Sequence, residues 1–250
     1  MQPFRTNQAI QVRGYEMNAS GSVPPAGLLR YAEHARWQAL AAPGSRLAGH
    51  FRRGVVRAQK LECYETIRYP AELDIGTWVS RVGLTSFDLS HRIARVGGGV
   101  VALSTCTVVC LDDAGAPTPV ADAVRDLVVE DDLAAVEPLS GAAPAGAWSH
   151  EFSVRPSDQD ILQHANQARY ADYVEDARQL AAAAGVYPEA RAVPGKLWVG
   201  YRRENQSGER LRMLSWQLRA EPLAVGFELR RVRDGEAVFQ ARFETGARRA

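Results

Sequence analysis

Cysteine is scarce. The 250 residues hold three, Cys63, Cys106 and Cys110, an odd number with no CxxC pair and no Cys/His cluster. That pattern argues against a disulfide framework and a zinc site, and it fits a reducing compartment, so a cytoplasmic location is expected. Excess charge is lacking as well. With 30 Lys and Arg against 29 Asp and Glu, the formal net charge is +1, which supplies no bulk attraction to nucleic acid or to a membrane surface. No stretch approaches the ~18 apolar residues of a membrane span. The opening "MQPFRTNQAIQVRGYE" has no apolar run suited to a signal peptide. What is present is a globular composition, 46% hydrophobic and 24% charged, at a length that allows one large domain or two of ~125 residues. No metal and no cofactor is expected.

The chain repeats itself. Residues 12–36, "VRGYEMNASGSVPPAGLLRYAEHAR", align without a gap to residues 154–178, "VRPSDQDILQHANQARYADYVEDAR", at an offset of 142. Val12, Arg13, Ala26, Tyr31, Glu33, Ala35 and Arg36 match Val154, Arg155, Ala168, Tyr173, Glu175, Ala177 and Arg178. Both copies end in Y-x-E-x-A-R and continue into an alanine-rich run.

Downstream, each copy repeats the same order of elements. "RGVVRAQKLECYETIRY", "GTWVSRVG", "SFDLSHRIARV" and "GVVALSTCTVVCLDD" are rich in Val, Ile, Thr and aromatics and read as strands. So do "GKLWVGYRREN", "LRMLSWQLRAE", "AVGFELRRVRDG" and "EAVFQARFETG". Turns are expected at residues 97–99 and 233–235. Helical spacing of apolar residues predicts helices from Leu28 to Leu40, closed by Pro43-Gly44, and over 168–184, stopped by Gly185. The Pro- and Ala-rich stretch between the halves, with a short helix in "VADAVRDLV", reads as a linker. These patterns predict an α+β fold in two domains, 1–140 with the linker and 141–250.

The copies differ in one place. Where the second has Asp158, Asp160, His164 and Asn166, the first has Glu16, Asn18, Ser22 and Pro24. Helix initiation alone does not require the polar set, because the first copy starts its helix from Pro24-Pro25. Taken singly, Asn166 reads as a helix N-cap, His164 as a surface histidine and Asp160 as a turn residue. Taken together, D-x-D-x-x-x-H-x-N marks a site carried by the second half only. Glu175 and Arg178, with counterparts Glu33 and Arg36, read as packing or helix-surface ion pairing. The arginines at 202, 203, 210, 212, 230, 231 and 233 read as solvated faces, with an acidic carrier as the alternative.

"SDQDILQHANQARYADYVEDAR" resembles the D-x-D-x-x-G-H-V-N-N-x-x-Y signature of hotdog-fold thioesterases, and "VGYRRENQSGERLRMLS" resembles the family's L-E-Y-R-R-E-C strand. Two such units in one chain resemble the tandem-hotdog acyl-ACP thioesterases. The resemblance implies two tandem hotdog domains, each a long central helix wrapped by an antiparallel sheet and paired as a pseudo-dimer. The first would bind substrate and the second would be catalytic. It implies a role in fatty acid and lipid metabolism and a substrate that is an acyl carrier protein or coenzyme A thioester. No nucleic acid or membrane partner is implied, and the chain would be a monomer or a homodimer. Carried over by position, Asp160, His164 and Glu204 are catalytic. N–H groups of Asn166, Gln167 and Ala168, at a helix start expected at Asn166 or Gln167, would hold the oxyanion. Asp158 and Asn205 are secondary candidates. The sequence departs from the family at Leu162, where the plant enzymes have asparagine, at Asn205, where they have cysteine, and at Gln163 and Gln167, where glycine and asparagine are usual. Which carboxylate is the base stays open, as does direct attack by Asp160. Trp37, Trp78, Trp198 and Trp216 are candidates to floor an acyl tunnel. The alternatives are a hotdog hydratase or dehydratase, whose D-x-N-P-x-H loop is absent, and a non-catalytic acyl-thioester binding or tailoring protein.

Overall fold

The computed structural model describes residues 5–42, 45, 47, 54–131, 133, 136–188 and 194–246. Pro43 and Gly44, the expected stop of the first helix, lie outside them. The chain divides into two compact units, Met1–Ala135 and Val136–Ala250.

In the first unit β1 (Arg5–Gln11) leads through a 3-10 turn at Gly14–Glu16 into α1 (Pro25–Ala41). Strands β2 (Gly54–Cys63), β3 (Glu72–Val82), β4 (Ser86–Arg95) and β5 (Val100–Cys110) follow, then α2 (Asp122–Arg125). The second unit runs in the same order. It has β6 (Trp148–Ser153), a 3-10 turn at Pro156–Asp158, α3 (Arg169–Ala183), β7 (Pro194–Tyr201), β8 (Arg210–Arg219), β9 (Ala224–Arg231) and β10 (Ala237–Thr245). Strand order repeats too, β1-β3-β4-β5-β2 in one and β6-β8-β9-β10-β7 in the other.

The expected fold class needs correction. It called for two tandem domains, each a long helix wrapped by a sheet of its own and paired as a pseudo-dimer. The strands instead form one ten-stranded sheet, β1-β3-β4-β5-β2-β7-β10-β9-β8-β6. Helix is the minor component, 17 residues in α1, 4 in α2 and 15 in α3. The fold remains hotdog-like. The physical reason for the difference is that strand edges carry unpaired N–H and C=O groups. Hydrophobic pattern inside each half is silent on what those edges meet.

Alternation places the helices. In β5, Ala102, Ser104, Cys106, Val108 and Cys110 are buried while the residues between Leu103 and Val109 alternate with them half-buried, the period of a strand with one face on a core. α1 packs on β3, β4 and β5 with Leu28, Leu29, Ala32, Ala35 and Ala39 inward. α3 turns Ala171, Val174, Ala177 and Ala181 inward. It ends at Gly185, whose φ of +75° favours a residue without Cβ. Gly97 and Gly235 take φ of +69° and +72° at the two expected turns. Among the described residues no helix is long and apolar enough to cross a membrane.

Candidate active site

The polar cluster occupies a tight loop just before α3. The Asp160 N–H donates to the His164 carbonyl (3.1 Å), the Gln163 N–H to the Asp160 carbonyl (3.0 Å) and the Asn166 N–H to the Asp158 carbonyl (2.9 Å). This small ladder sets Asp160 beside His164. The Asp160 carboxylate accepts the Leu162 N–H at 2.9 Å, and His164 Nδ1 lies 3.7 Å from its Oδ1. On the other side of the ring, Nε2 lies 3.8 Å from Glu204 Oε1. Glu204 follows β7, and its neighbour fixes the spacing, since the Ala165 N–H donates to the Asn205 carbonyl at 2.7 Å. The structure thus brings Asp160, His164 and Glu204 into one row with the imidazole between two carboxylates. Both gaps exceed hydrogen-bond length and leave room for water or substrate to mediate.

The remaining candidates sit around that row in different ways. α3 starts at Arg169 with Ala168 as its N-cap, later than the expected Asn166 or Gln167. Asn166 Oδ1 accepts the Ala168 N–H at 2.8 Å, so that donor is engaged. The N–H groups of His164 and Gln167 donate to no group among the described residues. The Gln167 carbonyl is held by the Tyr201 hydroxyl at 2.9 Å. Asn205 is fully buried, its Oδ1 accepting from the Tyr170 hydroxyl (3.0 Å) and its Nδ2 donating to Glu209 (3.0 Å). It faces the protein interior and supports the loop through its backbone. Gln163, in place of the family's glycine, carries a left-handed φ of +64°.

Asp158 is a clamp. Its buried carboxylate accepts from the Arg155 N–H (2.9 Å), the Arg155 guanidinium (3.0 Å) and the Tyr173 hydroxyl (2.9 Å). Burial pulls this carboxyl upward, but the Arg155 and Tyr173 bonds outweigh it and hold it below the usual aspartate range. The first copy builds the same clamp from Glu16, which accepts from the Arg13 N–H (2.7 Å) and the Tyr31 hydroxyl (2.6 Å). In the sequence Tyr31 and Tyr173 show only as an identical pair, and the fold makes both of them clamp donors. The signal was an Arg, an acid and a Tyr at the same three positions of both copies.

The two loops share a backbone as well. In the first copy the Asn18 N–H donates to the Ser22 carbonyl, the Gly21 N–H to the Asn18 carbonyl and the Val23 N–H to the Ile67 carbonyl, each at 2.9 Å. Gly21 takes φ +71° where Gln163 takes +64°. Asn18 and Ser22 therefore stand where Asp160 and His164 stand in the second copy. Thr66, one residue before Ile67, stands where Glu204 precedes Asn205.

Two other expectations receive an answer. Apart from Arg202, which donates to Gln240, the arginines expected on solvated faces are paired with acids: Arg203 with Glu236, Arg210 and Arg212 with Glu151, Arg230 with Glu228, and Arg231 and Arg233 with Asp234. They form no bare basic surface. Trp198 and Trp216 are half-buried and alternate with the core-facing Leu197, Val199, Met213 and Ser215, so they lie on the opposite face of the sheet from the core. Among the described residues no three His, Cys, Asp or Glu side chains are arranged to hold a metal ion.

Residues 12–128 of this hotdog-like fold match the family model described as thioesterase-like superfamily. Residues 142–245 match the model of the acyl-ACP thioesterase C-terminal domain. The two matches together span most of the chain and both are thioesterase models, so the chain is a thioester hydrolase. Solved structures agree on the fold. The 12:0-ACP thioesterase from Umbellularia californica superposes with a TM-score of 0.80 at 16% identity, covering 96% of this chain and 93% of that one. An acyl-ACP thioesterase from Bacteroides thetaiotaomicron VPI-5482 gives 0.73 at 14% identity, covering 96% and 97%. Among curated proteins no sequence matches the chain.

Proposed function

We propose that the second unit hydrolyses an acyl-ACP thioester with Glu204 as general base, His164 as the group that orients water and Asp160 as the residue that orients His164. The observation that carries this reading is the row itself, an imidazole with a carboxylate 3.7 Å from one nitrogen and 3.8 Å from the other. The division of labour follows from what each carboxylate already does. Asp160 is committed to the Leu162 N–H. Glu204 is 68% exposed and makes no hydrogen bond among the described residues, so it is free to take a proton. Water between Glu204 and His164 attacks the thioester carbon, its proton passing to Glu204. The carbonyl oxygen gains the negative charge. It is received by the Gln167 N–H, with the His164 N–H as a second donor, beside the positive end of α3. Collapse breaks the C–S bond, and the thiolate leaves with a proton, giving a free acid and the carrier thiol.

The N-terminal domain, 1–140 with the linker, would then bind substrate without chemistry, since Asn18, Ser22 and Thr66 replace the three reacting groups. One chain holds the complete set, so a monomer suffices. A cytoplasmic setting suits its three free cysteines. The test is thiol release from a panel of acyl-ACP and acyl-CoA thioesters. We expect Glu204→Gln and Asp160→Asn each to lower kcat by roughly 10²–10⁴-fold, with acyl-ACP preferred over acyl-CoA. Full activity in both variants sinks this assignment, and equal use of CoA sinks the carrier choice.

A further inference from the structure

Arg36, on the inward face of α1, is 1% exposed. Its Nη1 donates to Cys106 Sγ at 3.1 Å, its Nε has no partner, and it forms no ion pair among the described residues. The equivalent arginine of the second copy is different. Arg178 is gripped by both oxygens of Glu175, at 2.9 and 2.7 Å. Cys106 supplies no counter-charge to Arg36, because burial pushes its thiol above the ordinary value and keeps it protonated. A buried guanidinium without a counter-charge is costly.

Two more buried polar atoms next to it are unsatisfied. Ser104 lies two residues from Cys106 on the same face of β5, directly opposite His91 on β4, which in turn lies opposite Thr77 on β3. Ser104 Oγ and His91 Nε2 are without partners. His91 Nδ1 is 3.0 Å from Thr77 Oγ1. Burial, reinforced by Arg36, pushes the His91 imidazole down to about 3, so it is neutral. Either atom can donate in that bond, and in the tautomer where the Thr77 hydroxyl donates to Nδ1 the proton sits on Nε2. In that tautomer Arg36 Nε, His91 Nε2 and Ser104 Oγ are three buried donors without a partner. The apolar cluster that includes Cys106 also holds Val79, Phe87, Leu89 and Val108.

We propose that Arg36, His91 and Ser104 form a buried binding site for a carboxylate group. The guanidinium fork matches a carboxylate's two oxygens, the other two donors satisfy its remaining lone pairs, and the apolar neighbours suit a hydrocarbon stem. This site lies in the first unit and does not depend on the hydrolytic assignment of Glu204. Two sources carry that chemistry: a free carboxylic acid, which is the kind of molecule hydrolysis releases, and an acyl thioester with a carboxyl at its far end.

Calorimetry on the full chain with sodium octanoate and with 1-octanol tests the first source. The KM of an octanoyl thioester against its ω-carboxy counterpart tests the second. A carboxylate site gives octanoate binding at one site per chain, or a lower KM for the ω-carboxy substrate, either one weakened roughly tenfold or more in Arg36→Gln. Octanoate binding also shifts the His91 Nε2 resonance and persists in Asp160→Asn, which separates it from product held at the catalytic row. Ser104→Ala, a smaller change, should weaken the effect in the same direction if Arg36→Gln does not fold. Equal binding of octanol and octanoate overturns the proposal. So does the absence of both octanoate binding and ω-carboxy preference, which would leave water as the occupant.

Discussion

Gln163 pays for its place in the loop with a left-handed backbone, φ +64°, where the first copy uses Gly21 at +71°. A side chain in that region costs about 1–2 kcal/mol. Gln163→Gly is therefore expected to hold or raise stability by up to about 1 kcal/mol, the strain relief being offset by glycine's chain entropy. Gln163→Val, β-branched, should lose about 1–2 kcal/mol and reduce kcat by displacing His164. Thermal melts and thiol release on the pair check this, and a Val variant as stable as wild type contradicts it. Asp158 makes a pH prediction at the same scale. Its folded carboxyl is held below the unfolded value, so its contribution is present above ~3.9 and is lost as pH falls through the folded pKa. Asp158→Asn should cost roughly 1.5–3 kcal/mol at neutral pH, and the gap to wild type should close in melts below about pH 4. Because the first-copy clamp uses an acid at the same position, Asp158 belongs to the scaffold, and catalysis in the variant should survive wherever it remains folded.

At the scale of elements, the face of a strand decides what its side chains can do. Gly226 on β9 lies directly opposite Trp216 on β8, and a Cβ there would fall 2.6 Å from the indole ring. Gly226→Ala should lose roughly 1–3 kcal/mol by overpacking and shift the tryptophan emission, while unchanged emission would show that the ring moves freely. Much of the element plan was legible in the sequence. Val, Ile and Thr runs marked the strands, and alanines at helical spacing placed α1 and α3, because both signals are local. The start of α3 was not, since Asn166 caps the chain through Ala168 two residues later than its type suggests. The single sheet was not, because edge pairing leaves no trace in a hydrophobic period. Nor was the contrast between Arg36 and Arg178. Each has a glutamate three residues before it, and only the second pair closes. Asp160 and His164 stood out because the repeat supplied an internal control, whereas Glu204 came from family resemblance and meets them only through the fold.

At the scale of the whole molecule, one backbone design is used twice and equipped once. The loop before α1 folds Asn18 Oδ1 onto the N–H and hydroxyl of both Ser20 and Ser22, at 2.7–3.2 Å. The loop before α3 points Asp160 at an imidazole and leaves that imidazole facing Glu204. The same position therefore serves stability in one copy and, on the assignment above, chemistry in the other. Asn18→Ala removes the acceptor for four donors and should cost roughly 1–3 kcal/mol of stability, with kcat unchanged at a temperature where the variant is folded. Asp160→Asn should do the reverse, keeping the melting temperature close to wild type while thiol release falls. Melting curves and single-turnover hydrolysis on the two variants read both axes at once. A loss of kcat in folded Asn18→Ala would mean that the first loop takes part in the reaction, and the one-sided site would have to be abandoned.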